Sequence, residues 1–230
     1  MKTFQLNAEP RTDLGKKAAK ALRASQKIPC VLNGGKVVEL KDGKYDGTLA
    51  EGEKVVEIGR SGKAVLTTDF TVSFNDVRKL IYTPDVFVVD LNIGGVEKKA
   101  VLKDIQWHPV NDSILHLDFL EVTDDKPVVV NVPVQVEGHA AGVKAGGKLF
   151  LSMKKVKVKG IYTDIPERIV VNVDDIAIGH AIKVGDLKFD KFELANAKDL
   201  VITGVRATRA AAAAATESEE GEEGGEGAAE

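Results

Sequence analysis

The chain has 230 residues, 43% of them hydrophobic, and a formal net charge of −3. That is room for one large domain or two ordinary ones with real cores, and it excludes wholesale disorder. No apolar run approaches the length of a membrane span, the first residues lack a signal-peptide stretch, and one cysteine, Cys30, excludes an internal disulfide. The setting expected is a reducing cytoplasm with no membrane partner, and Cys30 reads as a buried, inert thiol.

The total charge hides an asymmetry. Residues 217–230 hold seven Glu and no Lys or Arg, so the rest of the chain carries +4. Residues 1–30 hold seven Lys or Arg against Glu9 and Asp13, a local net of +5. A basic start of this kind points toward nucleic acid.

In chain order, residues 2–7 alternate as a strand, 13–26 read as a short helix despite Gly15, and 28–32 read as a strand with Pro29 at its start. Asn33-Gly34-Gly35 is turn chemistry. Over residues 36–68 the pieces VVEL, KVVEI and KAVLTT are strand-like and are assigned to one or two hairpins. Ser73-Phe74-Asn75-Asp76 fits a loose capping box and opens a helix that ends near Thr83-Pro84. Val86–Ile93 and Val96–Asp104 flank Gly94-Gly95, a two-residue hairpin turn, and Ile114–Val122 adds a strand.

Thr123-Asp124-Asp125-Lys126-Pro127 breaks the pattern and is read as the domain boundary. Beyond it, Val128, Val130, Val132, Val134 and Val136 share one strand face. Gly138–Gly147 is a glycine-rich loop, and Met153–Ile161, Arg168–Val173 and Leu200–Arg206 are further strands. Ala210–Ala215 are too few for a stable isolated helix, and the acidic tail after them reads as disordered. The expected organisation is mainly β with short helices (α+β). It comprises a domain over residues 1–122, a second β domain over 123–209 and a tail over 210–230.

Catalytic motifs are missing. Gly59-Arg60-Ser61-Gly62-Lys63 resembles the end of a phosphate loop, but Glu57 stands where its first glycine belongs and Ala64 replaces the required Ser or Thr. His108, His116, His139 and His180 have no metal-ligand spacing, and no serine sits in a nucleophile elbow. A hydrolase built on His116 and Asp118 lacks a nucleophile. No enzyme activity, cofactor, metal or small-molecule substrate is expected.

Two clusters carry the binding chemistry. Lys16, Lys20, Arg23 and Lys27 fall at i, i+4, i+7 and i+11, within about 60° on a helix, with Leu14, Ala18, Ala21 and Leu22 opposite. Arg11, just before them, adds a fork-shaped donor suited to phosphate. In Ser113–Leu120, His116 and Asp118 share the face opposite Leu115, Leu117 and Phe119. Gln106 and His108 share a face on the strand before. Donors and acceptors at that spacing suit base edges and 2′-hydroxyls in the wide minor groove of RNA, although an ordinary polar outer face has the same look. Lys155, Lys157 and Lys159 alternate with Val156 and Val158 in a further basic strip, either solvated or RNA-contacting.

Placed in order, these residues resemble the 5S-rRNA-binding family of the bacterial large ribosomal subunit, protein twenty-five in its numbering, in the two-domain Ctc or general-stress-protein form. The motifs are Arg11 with Gly15-Lys16, Leu22-Arg23, Ile28-Pro29 with Gly34-Gly35, Asp104-Ile105-Gln106-x-His108-Pro109, and Leu115-His116-x-Asp118-Phe119. In the second half they are VPVQVEG, AGVKAGGKL, DIPERI and IGHAIKVGDL.

The resemblance implies a β-barrel-like first domain on 5S rRNA and a second β domain on the ribosome surface, facing neighbouring ribosomal proteins. It implies Arg11, Lys16, Lys20 and Arg23 on phosphates and Gln106, His116 and Asp118 in the minor groove. Asn33 stands where the family usually has Tyr, Ala19 and Ala21 where polar or basic residues are common, and residues 36–68 exceed the usual connection. The alternative from another class is a stress protein whose β domain binds protein partners, with RNA incidental.

Overall fold

A computed structural model describes residues 1–39, 45, 47–57 and 63–208 of the chain. It is mainly β with short helices, as expected, and forms two compact units. One comprises Met1–Asn131 with Lys159–Glu167, the other Val132–Val158 with the chain from Arg168 onward.

The first unit contains, in order, β1 (Lys2–Pro10), α1 (Lys16–Ala24), β2 (Lys27–Asn33), β3 (Val37–Glu39), β4 (Glu53–Glu57), β5 (Lys63–Ser73), α2 (Phe74–Tyr82), β6 (Phe87–Ile93), β7 (Val96–Trp107) and β8 (Ile114–Glu121). Six of the strands close into a barrel in the order β1-β6-β7-β8-β2-β5 and back to β1. The β1–β6 and β8–β2 pairs are parallel and the others antiparallel.

Strand alternation fills this barrel. Leu117 and Phe119 of β8 point inward to meet Cys30 and Leu32 of β2, Phe70 and Val72 of β5, and Val89 and Leu91 of β6. The Phe70 and Phe119 rings sit 5.6 Å apart at 45°, both fully buried. Burying each such ring contributes about 1.5–3 kcal/mol. Cys30 is 1% exposed, and burial pushes its thiol well above the ordinary cysteine range, so it is a core residue. The β6–β7 hairpin turns on Gly94 and Gly95 with φ of 57° and 94°, the left-handed values that a two-residue turn of this hand requires.

Among the described residues of 36–68, β3, β4 and the first half of β5 form the strands, with both β3 and β4 paired antiparallel to β5. The second half of β5 joins the barrel, while its first half pairs antiparallel with β4 and, through Lys63–Val65, with β3. This lobe is fastened where it meets the barrel. The Asp69 amide donates to Gly52 O at 2.8 Å, and the Arg11 amide donates to Asp69 O at 3.0 Å. Gly52 has φ of 82°, and a Cβ there would meet Asp69 O at 2.6 Å, so only glycine fits. Lys98 of β7 reaches across to Glu53 Oε1 at 3.2 Å and Thr68 Oγ1 at 3.4 Å.

Two helix expectations need correction. The helix expected over 13–26 spans only Lys16–Ala24, because Gly15 at φ 106° starts it and Gln26 at φ 59° ends it. Lys27 therefore belongs to β2, where its ammonium pairs with Glu9, and drops out of the helical stripe. The helix at 74–82 forms, but Ser73 makes no side-chain capping bond. Ser73 is the last residue of β5, paired with Lys27, and the Phe74 amide that follows donates to Gln26 O at 3.0 Å.

The second half of the chain contains β9 (Val128–Glu137), α3 (Ala141–Lys144), β10 (Lys148–Leu151), β11 (Lys155–Gly160), β12 (Ile169–Asn172), β13 (Ala181–Lys183), β14 (Glu193–Leu194) and β15 (Val201–Arg206). They form two sheets, ordered β12-β9-β11-β14 and β10-β15-β13. The alternation read in β9 is present, with Val128, Val130 and Val132 buried and Val129 and Asn131 exposed. β10, β13 and β14, of four, three and two residues, go beyond the strands expected from the sequence. The phosphate-loop fragment at 59–62, the alanine run and the acidic tail lie outside the described residues.

Glu53 provides a pH signature for the lobe. The hydrogen bond from the Ala50 amide, with Lys98 adding to it against the opposing effect of burial, holds its carboxyl below the ordinary value of 4.5. A depressed carboxyl contributes stability that is fully present above 4.5 and lost as pH falls through the lower folded value. Urea midpoints measured from pH 7 to pH 3 should fall less steeply in Glu53→Gln than in the parent below pH 4.5. Parallel curves would show that Glu53 has no part in acid unfolding.

Candidate nucleic-acid interface

The polar face read in the sequence lies on the outside of the barrel. On β8, Leu117 and Phe119 occupy the core, which turns His116 and Asp118 outward. Across the ladder, Gln106 of β7 stands directly opposite His116, and Asp104 stands opposite Asp118. On the other side β2 runs parallel to β8, pairing Val31 with Asp118 and Asn33 with Leu120. Gln106 and His116 thus begin a patch that passes Asp118 and ends at Asn33. From Leu115 to Leu120 it extends about 17 Å.

The groups on this patch differ in freedom. Gln106 is exposed, while His116, Asp118 and Asn33 are half-buried. His116 Nδ1 lies 2.9 Å from Asp118 Oδ1, so the two side chains are in direct contact on this face. Asp104 Oδ1 accepts the Ile105 amide at 2.9 Å. Asp104 reaches its place opposite Asp118 through a register shift between Leu102 and Asp104, which no sequence signal announces.

His108 is a correction. It sits just beyond β7, and its Nδ1 accepts the amides of Val110 and Asn111, both at 3.2 Å. It organises the turn into β8 and does not share the Gln106 face.

The basic helix meets this patch at one point. Arg23 donates through Nε at 3.0 Å and Nη2 at 2.9 Å to the carbonyl of Leu115, the residue before His116. This fork ties the C-terminal turn of α1 to β8. Lys16, Lys17 and Lys20 stand on the rest of the helix, all exposed and with no carboxylate in ion-pair range among the described residues. The inward apolar face expected for α1 is weaker than the sequence implied. No residue of the helix is buried, and Leu14 precedes it at 49% exposure.

Arg11 lies apart from the lysines. It lines the groove beneath α1 together with Ala18, Ala21 and Leu22, and its Nε donates to Asp13 O at 2.8 Å. The structure therefore brings Arg23, Gln106, His116, Asp118 and Asn33 onto connected elements, with Lys16 and Lys20 on the tethered helix and Arg11 on the groove side. Among the described residues no group of three His, Cys, Asp or Glu side chains is placed to hold a metal ion, and no helix is long and apolar enough to cross a membrane.

Comparison with known proteins gives this arrangement its family. Residues 6–65 and 58–119 match the Ribosomal L25p family, and residues 127–209 match the family described as Ribosomal protein TL5, C-terminal domain. A protein of Porphyromonas gingivalis called "Large ribosomal subunit protein bL25" is 48% identical over 209 residues, 90% of this chain and 94% of its own. The chain belongs to the Ribosomal L25p family. Members with the same name from Parabacteroides distasonis and Bacteroides thetaiotaomicron are 47% and 42% identical over 213 and 214 residues. Each alignment covers 90% of this chain, and 95% and 94% of the respective relative. The TL5-type match covers the valine strand and the sheets after it, and the L25p match covers most of the barrel strands.

Arg23→Lys tests the tether between helix and patch. A lysine keeps the charge but lacks the fork that reaches one oxygen twice. Amide exchange over Lys20–Ala24 should quicken about five- to ten-fold, the effect of losing about 1 kcal/mol from a partly solvated charged hydrogen bond. Unchanged exchange would mean that other contacts hold α1 on the barrel.

Proposed function

We propose that this protein is a structural component of the large ribosomal subunit that binds 5S rRNA through the outer face of its barrel, and that it performs no chemistry. The observation that carries the reading is the Arg23–Leu115 junction. It makes one track of a cationic helix and a polar sheet face. The family membership, and relatives called large-subunit proteins, support the ribosomal setting. In this reading the protein acts in the cytoplasm as part of the ribosome.

Two kinds of contact are assigned. Lys16, Lys20 and Arg23 neutralise phosphates, releasing counterions and fixing orientation without reading sequence. Arg11 contributes from the groove side with the donors that Asp13 leaves free. Gln106, His116 and Asp118 meet base edges and 2′-hydroxyls, which the shallow minor groove of an RNA helix presents to a flat surface. Asp118 accepts from a guanine amino group or a 2′-hydroxyl, the donors that make a carboxylate tolerable beside phosphates. Asn33 closes the far end of the track with an amide in the place of a phenol.

The test is binding of the full chain to 5S rRNA across a salt series, with transfer RNA as competitor. Lys16→Ala with Lys20→Ala should flatten the plot of log affinity against log salt by roughly 1.5–2 units. Gln106→Ala and His116→Ala should each weaken binding by about five- to a hundred-fold at fixed salt and leave the slope unchanged. Equal competition by transfer RNA, or variants that behave like the parent, would reject the reading.

A further inference from the structure

The second unit carries a basic surface that the barrel face leaves unexplained. From Gly138 to Val158 the sequence has five lysines and no acidic residue. Two of them, Lys155 and Lys157, are exposed on β11, because the alternate residues Val156 and Val158 are fully buried. Side chains two apart on a strand point the same way, so the two ammonium groups stand about 7 Å apart along it. Neither has a carboxylate within ion-pair distance among the described residues.

An aromatic pair lies on the neighbouring element. β14 flanks β11, with the Ala195 amide donating to Lys157 O at 2.8 Å and the Lys157 amide donating to Asn196 Oδ1 at 2.6 Å. The segment that leads into β14 is Lys188-Phe189-Asp190-Lys191-Phe192. Its two rings stack with centroids 4.6 Å apart at 23°, and Phe189 remains 37% exposed. Phe192 directly precedes β14 and stands three residues before Ala195, the residue whose amide bonds to Lys157. A large ring left open to water on a lysine-flanked segment costs the free protein apolar hydration. It is also the platform on which an unpaired base gains most.

We propose that this surface of the second unit is an independent binding site for single-stranded RNA. Lys155 and Lys157 hold consecutive phosphates, and the open face of Phe189, backed by Phe192, stacks one base. Stacking on a phenyl face is tolerant of base identity, so the site takes an unpaired stretch with little sequence preference. The site is separate from the barrel face and needs none of its residues.

The probe is a twelve-nucleotide oligouridylate, titrated into the full chain across a salt series, with 5S rRNA titrated in parallel. Lys155→Ala with Lys157→Ala should lower the oligouridylate salt slope by about 1.4. Phe189→Ala should weaken oligouridylate binding about five- to a hundred-fold, while Phe189→Trp, which keeps a stacking face, retains it. Thermal unfolding of each variant separates a lost contact from a lost fold.

Lys16→Ala with Lys20→Ala should reduce 5S rRNA binding and leave the loss of oligouridylate affinity caused by Phe189→Ala in place, so either site can fail without the other. The proposal is overturned if the Lys155–Lys157 variant keeps the parent slope, or if Phe189→Trp binds as weakly as Phe189→Ala. It is also overturned if oligouridylate binds only after residues 217–230 are removed, because the lysines would then belong to the chain's own seven-glutamate tail.

Discussion

Closure of the barrel rests on a short ladder between β1 and β5, where Glu9 pairs with Thr71 and Pro10 with Phe70. A sheet of this size left open would expose two edges of unpaired amides and carbonyls. The ladder exists because β5 is long enough to serve two partners, holding β2 along one side and reaching β1 on the other. Once the ring is shut, each barrel strand has one face committed to the core, and what remains on β7, β8 and β2 is forced outward together. The polar patch is thus a by-product of packing Leu117 and Phe119.

The same closure sets where the helix goes. β1 and β2 are not neighbours in the ring, so the chain must travel from Pro10 to Lys27 around one end of the barrel. α1 makes that passage with no buried residue of its own. Isolated nine-residue helices are marginal in water, so its position depends on its anchors, and Arg23 is the one that bonds directly to the patch strand. A lightly packed helix with free lysines suits a surface whose final geometry is completed by a partner's charge.

Much of this was legible in the sequence because period-two alternation reports burial directly. The β6–β7 hairpin, β8, and the valine face of β9 needed only that rule and two glycines. Gln106, His116 and Asp118 were placed on a shared outer face for the same reason. What failed to show depended on partners distant in sequence. Lys27 left the helical stripe because Glu9 and β5 claimed it. Ser73 is the last residue of β5, paired with Lys27, and its side chain makes no capping bond. His108 turned from the sheet to hold two amides of its own turn. The shift that brings Asp104 opposite Asp118 is a property of the ladder, and periodicity has no term for it. The Phe189–Phe192 stack has no sequence signature, because its loop has no regular period.

The tether between helix and barrel has a property of a different kind. Its acceptor is a main-chain oxygen, which every amino acid supplies, whereas its donor is a guanidinium that only arginine supplies. The two ends of one bond are therefore unequally coded. Position 115 is open to residues of suitable size, and the side-chain information in this one bond is held at position 23.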